Sequence, residues 1–284
     1  MRGALILELL QYARCKWLAK ILYDYYIPYS ISHRKNVQLA KLTDIEVIAL
    51  MLFQTLLGMT VRTKFYRYLR NNKVIKLSKL PEESRFNRIC NHAKGMIQII
   101  RNHIIKDEVH PYYSIIDSFP IPLCISVRRF RAKVLKNIAN RGFNSTKQMH
   151  FYGLKGHFII SALGIILDYS ITPASIHDVK VAKTLISSYS TRYILADKGY
   201  TSNNLKEWCL RHHEQIWTPP KKNQRKWTEL DCRLFKVRRR VESVFAQLKR
   251  LFDVERNYGK SLMGFQSRLE QYLLTDTLLK LNLL

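Results

Sequence analysis

Two hydrophobic rhythms divide this chain. Up to about residue 110, apolar side chains recur at the three- and four-residue intervals of amphipathic helices. In Leu42-Thr43-Asp44-Ile45-Glu46 the Thr43 hydroxyl is placed to accept from the Glu46 amide, and the Glu46 carboxylate to accept from the Thr43 amide. Leu42 and Val47 flank this capping box as a hydrophobic staple, so a helix starts there. Ile45, Ile48, Ala49, Leu52 and Leu56 carry its apolar side, and Gly58 stands where a C-cap ends it. A second helix is expected from Pro81, with Glu82 and Glu83 at the positive end of its dipole and Phe86, Ile89, Cys90, Ala93, Ile97 and Ile100 along one side. The stretch between them, Arg62 to Lys79, is basic. Helix, turn and basic segment fit either a helix-turn-helix DNA reader or a plain helical packing module.

After His110-Pro111 the period shortens. Tyr112–Ile116, His157–Leu163 and Arg192–Ala196 are short β-prone runs, and Ile165–Ile171 follows Gly164 as a hairpin partner. Helical patterns occupy Asp178–Ser188, Ser202–His212 and Cys232–Phe252, and a Leu-rich helix runs from about Ser267 to Leu284. The expected fold class is therefore α/β: a mixed-sheet domain over residues 111–284, its last helix included, preceded by a helical domain over residues 1–110.

Charge narrows the function. The 284 residues are 47% apolar and 24% charged, a folded globular composition. Forty-eight Lys and Arg oppose 21 Asp and Glu, a net charge of +27. The excess is spread out: residues 1–110 hold 19 basic and 8 acidic residues, and residues 111–284 hold 29 and 13. A long polyanion, nucleic acid first, is the expected partner. Five scattered cysteines with no C-x-x-C pair argue for reduced thiols in the cytoplasm and against a zinc site. Glu8 interrupts the first apolar run, and the longest uncharged stretch, Val47–Val61, is too short for a membrane helix, so no membrane partner is expected.

Three acids carry the candidate chemistry. Asp117 follows Tyr113-Ser-Ile-Ile at the carboxyl end of one strand, and Asp197 repeats the pattern in Tyr193-Ile-Leu-Ala-Asp-Lys198-Gly-Tyr. Open α/β sheets place ligands at such ends. On a continuous helix over Cys232–Phe252, Phe235, Arg238, Glu242 and Lys249 share one stripe, about 110° from an apolar face of Leu234, Val237, Val241, Val244, Leu248 and Leu251. The plain alternative is that Glu242 pairs with Arg238 or Arg239 on a solvated face. From Ser118 to Leu167 no acid occurs, while Arg128, Arg129, Arg131, Lys133, Lys136, Arg141, Lys147 and Lys155 do. Lys221 to Arg240 adds nine positives, Lys222, Arg225, Lys226 and Arg239 among them, against Glu229 and Asp231. Both runs suit a phosphate-tracking surface. Trp227 offers a face for an unpaired base, whereas Trp217 reads as core. His177 belongs to the site's edge or to a helix start beside Asp178, and His212-His213 reads as surface.

Together these motifs resemble the Asp-Asp-Glu transposases of prokaryotic insertion sequences, whose helix signature is Tyr-(2)-Arg-(3)-Glu-(6)-Lys; here Phe235 takes the tyrosine place. The phrases Ile-Asp-Ser-Phe-Pro-Ile-Pro at Asp117, Tyr-Gly-Leu-Lys-Gly-His at 152–157 and Thr-Pro-Ala-Ser-Ile-His-Asp at 172–178 resemble insertion-sequence family 982 in particular. The resemblance implies a ribonuclease-H-like catalytic core in which Asp117, Asp197 and Glu242 hold two divalent metal ions, Mg²⁺ with Mn²⁺ as substitute. It also implies that Lys198, Arg238 and Lys249 join the basic runs on DNA, and that the helical domain binds terminal repeats or dimerises. The partners implied are double-stranded DNA with terminal inverted repeats, target DNA and a second copy of the chain. The chemistry has a reason of its own: two hard cations ~4 Å apart, held by carboxylates, activate a water and neutralise a leaving oxygen. The resemblance further implies that a freed 3′-hydroxyl then attacks target DNA without a covalent protein intermediate. An inactive DNA-binding derivative and a nuclease that cuts without joining are the competing readings.

Overall fold

The computed structural model describes residues 2–144, 148–220, 226–252, 259 and 261–284. They form two compact units, Met1–Glu108 with Tyr258–Leu284, and Val109–Asn257.

The first unit is helical: α1 (Arg2–Tyr26), α2 (Tyr29–Ser32), α3 (Asp44–Leu56), α4 (Arg62–Asn71), α5 (Glu83–His92), α6 (Lys94–Glu108) and a last helix, Leu262–Lys280. The capping box forms as the sequence indicates, with Glu46 N to Thr43 Oγ1 at 3.2 Å and Thr43 N to Glu46 Oε2 at 3.1 Å. Every residue of α3 from Glu46 to Thr55 is buried, which makes it the unit's central helix. Gly58 ends it in the left-handed region at φ 65°, a conformation that favours glycine. The helix expected from Pro81 is divided at Ala93 into α5 and α6, with Gly95, a weak helix former, just beyond the break.

One expectation is corrected here. The final helix belongs to the helical unit and not to the sheet domain. Polar side chains are buried on it beside leucines that join the helical core, and their partners explain the assignment: Glu270 receives Arg101 Nε at 2.9 Å, with both side chains fully buried. Gln271 Nε2 donates to Met51 O at 2.8 Å and Thr55 Oγ1 at 3.0 Å, and Ser267 Oγ donates to Cys90 O at 2.9 Å. A hydrophobic pattern alone does not disclose such contacts, because the signal lies in polar residues finding specific acceptors.

The second unit holds a six-stranded mixed sheet built from β1 (Tyr113–Ile125), β2 (Asn140–Asn144), β3 (Met149–Ser161), β4 (Ile166–Pro173), β5 (Tyr193–Ala196) and β6 (Gln215–Trp217). β3 lies antiparallel to β1 on one edge and to β2 and β4 on the other, while β5 and then β6 extend the far side of β1 in parallel. The β3–β4 hairpin turns at Gly164, φ 81°, as expected. Helices α7 (Asp178–Ser188), α8 (Asn203–Arg211), α9 (Glu229–Arg238) and α10 (Arg240–Phe252) pack on this sheet.

β1 runs well past the strand read from sequence, through Pro120 and Pro122. It tolerates them because its pairing with β5 stops at Ile116↔Ala196, so that beyond this point only the β3 edge is laddered. Opposite Pro122 the register shifts and Gly153 meets it. A Cβ on Gly153 would stand 2.3 Å from the Ile121 carbonyl oxygen, and one on Gly156 would stand 2.7 Å from the Phe158 ring. The two glycines of Tyr-Gly-Leu-Lys-Gly-His thus answer to close packing. Gly153→Ala is expected to destabilise this unit by about 3 kcal/mol in urea unfolding, because the obstacle is backbone and cannot rotate away.

Candidate active site

The strand register brings two acids together. Since β1 and β5 are parallel and Ile116 pairs with Ala196, Asp117 and Asp197 are the next residues on adjacent strands, roughly 5 Å apart along the sheet. Arg238, at the end of α9, answers both: its Nη2 lies 2.8 Å from Asp117 Oδ2 and 3.6 Å from Asp197 Oδ1. Arg238 is buried and Asp197 half-exposed, so the pair opens to solvent on the Asp197 side. Burial pushes the Asp117 carboxyl up to about 6. The Arg238 charge and the Ser118 amide, 2.8 Å from Oδ1, oppose that rise, and the nearby Asp197 and Asp178 add to it.

Alternation along β1 turns Ser118 to the opposite face, toward α7. There Ser118 Oγ donates to Asp178 Oδ1 at 2.9 Å, and Lys155 Nζ reaches the same oxygen at 3.3 Å and the Ile176 carbonyl at 3.0 Å. A Cβ on Gly199 would lie 3.2 Å from Asp178 Oδ2, so the turn after Asp197 presses against the same carboxylate. Asp178 therefore ties together the chain just past both aspartates. His157 Nδ1 stands 3.5 Å from Asp178 and its Nε2 2.9 Å from Thr172 Oγ1. Burial drives this imidazole down to about 4, leaving it neutral, so the contact with Asp178 is polar and not ionic. His177, the residue read from sequence, caps α7 at the exposed surface while its neighbour Asp178 enters the network. The available signal was the acid beside it in Ile-His-Asp.

Glu242 is not brought to the aspartates. The helix expected over Cys232–Phe252 breaks at Arg239, where the Glu242 amide makes a tight bond to the Arg239 carbonyl at 3.0 Å. Arg238 is drawn inward, whereas the Glu242 side chain is 56% exposed with Oε2 3.6 Å from Arg239 Nε, as the plain alternative anticipated. Glu242 lines a depression with Tyr113, four residues before Asp117; Lys249, seven residues and roughly 10 Å further along α10, stands 5.5 Å over the Phe119 ring, two residues after it. Asp117 thus falls between the two ends of the stripe. Among the described residues no three His, Cys, Asp or Glu side chains lie close enough to hold a metal ion. Asp117 and Asp197 do fit a hard cation, since their oxygens already converge on one cationic group.

Residues 110–262 match the family model described as "Transposase DDE domain". The chain belongs to this family. Over 115 residues it is 28% identical to a Brucella ovis protein named "Putative transposase for insertion sequence element IS6501", an overlap covering 39% of this chain and 87% of that one. No solved structure matches it.

The basic residues of the DDE domain divide by exposure. Arg128, Arg131 and Lys133 are exposed around one open depression beside Cys124, and Lys198, Lys226 and Arg239 are exposed as well. Lys249 is half-buried. Arg129 lies in the turn that follows β1, and its side chain is outside the described residues, as are Lys222 and Arg225. Arg238, expected on a DNA-facing surface, is corrected to a buried counter-ion of the aspartates. Trp227 is partly exposed and meets the Phe235 ring edge-on at 5.4 Å, and Trp217 Nε1 donates to Asp231 at 3.0 Å.

Two measurements check this electrostatic account. Arg238→Met leaves two carboxylates facing each other and is expected to cost roughly 3 kcal/mol of unfolding free energy at pH 7. Adding Asp117→Asn should recover most of that loss, because the pair is the cause; additive losses in the double-mutant cycle would refute it. His157 gains a proton more readily unfolded than folded, so its own contribution to stability should fall as the pH drops from about 6.5 toward 4, by roughly 2–3 kcal/mol, opposed over the same window by the raised Asp117 carboxyl, which gains a proton more readily folded. The difference between the wild-type and His157→Gln pH–stability curves should isolate that loss.

Proposed function

We propose that this transposase nicks DNA at the ends of an insertion sequence and joins the freed 3′-hydroxyls to target DNA, with Asp117, Asp197 and Glu242 as its metal-holding acids. The observation that carries the reading is the convergence of Asp117 and Asp197 on one cation at the end of the parallel β1–β5 pairing. Three antiparallel strands followed by two parallel ones support a ribonuclease-H-like core.

Two divalent ions, Mg²⁺ or Mn²⁺, would supply an activated water and a neutralised leaving oxygen. The chain's own part is to present Asp117 and Asp197 in fixed register, to release Arg238 from between them, and to hold Asp117's backbone through Ser118 and Asp178. Glu242 joins them when α9 and α10 realign at Arg239, a change that restores one continuous Arg238–Glu242–Lys249 stripe. Arg128, Arg131, Lys133, Lys198, Lys226 and Arg239 track phosphates, with Arg129, Lys222 and Arg225 in the same basic runs and Trp227 placed for an unpaired base. On the helical unit, α4 exposes Lys64, Arg67 and Arg70 as a second basic face suited to terminal repeats. No described helix is long and apolar enough to cross a membrane, and the nucleoid is the natural site of action.

One observation favours a DNA-binding derivative that no longer cuts: the outlying position of Glu242. A single experiment separates the readings. Asp117→Asn, Asp197→Asn and Glu242→Gln should each reduce nicking of end DNA in Mg²⁺ or Mn²⁺ by at least a hundredfold while end binding in Ca²⁺ persists. Unchanged nicking in one variant removes that residue from the set. A wild-type protein that binds ends but never nicks supports the derivative, and nicking without strand joining supports a nuclease.

A further inference from the structure

A short 3₁₀ turn, Ser126–Arg131, follows β1 at the end of the sheet away from the aspartates. On it, Val127 and Phe130 are 86% and 85% exposed, the most exposed large apolar side chains among the described residues. Positions three apart stand side by side on a helix of three residues per turn, so the two form one projecting ridge. Phe151 of β3 pairs with Ile125 on one side and Gly142 on the other, which sets the next residue of β2, Phe143, at this same end. Phe143 is exposed as well, its ring centroid 5.0 Å from that of His150. Apolar surface held out in water is costly unless something covers it.

The surrounding charge says what the cover is. Arg128, Arg131 and Lys133 are exposed around the adjoining depression, and strand alternation puts exposed Arg141 on the face that carries Phe143. No acid occurs between Ser118 and Leu167, so the positive field runs on from the ridge into the strand that carries Asp117. A partner with negative rails on either side of flat apolar layers matches this pattern, and duplex DNA has that build: phosphates outside, stacked base pairs within. Eight residues of extended strand separate Asp117 from Ile125, about 26 Å or roughly eight base-pair steps. The ridge thus meets duplex that flanks the bond at the acids, and not that bond itself.

We infer that Phe130, backed by Val127, inserts between neighbouring base pairs of duplex DNA and unstacks that step, while Arg128, Arg131 and Lys133 hold the adjacent phosphates. The inference rests on the reading of a DNA-processing enzyme. Its probes are a perfect duplex of mixed sequence and the same duplex carrying a central bulge, bound by the full-length protein in Ca²⁺. The bulged duplex should bind about tenfold more tightly, because its step is already open. On the perfect duplex, binding should make thymines reactive to permanganate, which attacks unstacked bases. Phe130→Ala should bring the affinity ratio to about one and remove the permanganate signal at an unchanged melting temperature, whereas Phe130→Leu should keep most of both. Arg128→Ala should weaken binding to both duplexes together, as a phosphate contact does. The wild-type ratio and permanganate pattern decide the matter if a variant fails to fold. Equal affinities without permanganate reactivity, or a bulge preference that survives Phe130→Ala, would overturn the inference and leave the DNA reading standing; binding to neither duplex would sink both. Phe130-dependent binding to phosphatidylserine vesicles without any bulge preference would overturn it in favour of a lipid surface.

Discussion

Two carboxylates set side by side where a parallel strand pair ends repel each other and need a cation between them. That constraint organises the DDE domain. The pairing of β1 with β5 stops one residue short of Asp117 and Asp197, so backbone hydrogen bonds fix their spacing and side-chain rotamers have little say. Arg238 enters from α9 because the field there is negative, and the inward pull coincides with the break in the helix at Arg239. Behind the pair, Asp178 collects Ser118, Lys155 and the turn at Gly199, which stiffens the backbone that carries both acids.

The same constraint accounts for what was legible in the sequence. Asp117 and Asp197 could be read because each follows a short β-prone run and strand ends are local features. The capping box at Thr43 and the hairpin at Gly164 were legible for the same reason: each is settled within a few residues. The division of long helices at Ala93 and Arg239 was not, because a helical period continues through both positions and only tertiary contacts reveal a change of axis. Glu242 shows the cost. Its stripe requires an unbroken helix, and a break three residues earlier leaves it facing Arg239.

Polar residues misled in a different way. The final helix reads as Leu-rich and follows the sheet in sequence, yet Ser267, Glu270 and Gln271 carry its address. Buried hydrogen-bonding groups discriminate between docking sites more sharply than leucines do, because a wrong site leaves them unsatisfied. The basic residues present the reverse case: most of the described ones are exposed as composition suggests, and Arg238, like Arg101 in the helical unit, is buried because it faces acids.

The placement of the final helix also bears on how the molecule is made. The helical unit is discontinuous, taking its first part before Val109 and its last after Asn257, with the sheet unit's whole sequence in between. Domains generally fold as they leave the ribosome, first part first. Here the sheet unit is fully synthesised before the segment that completes the helical unit, so a later stretch closes an earlier one across it. A chain halted in translation after residue 257 would carry both aspartates, Arg238 and Glu242 but lack the helix that seals α3 and α6, so the acids are never presented without that seal unless synthesis stops short of it.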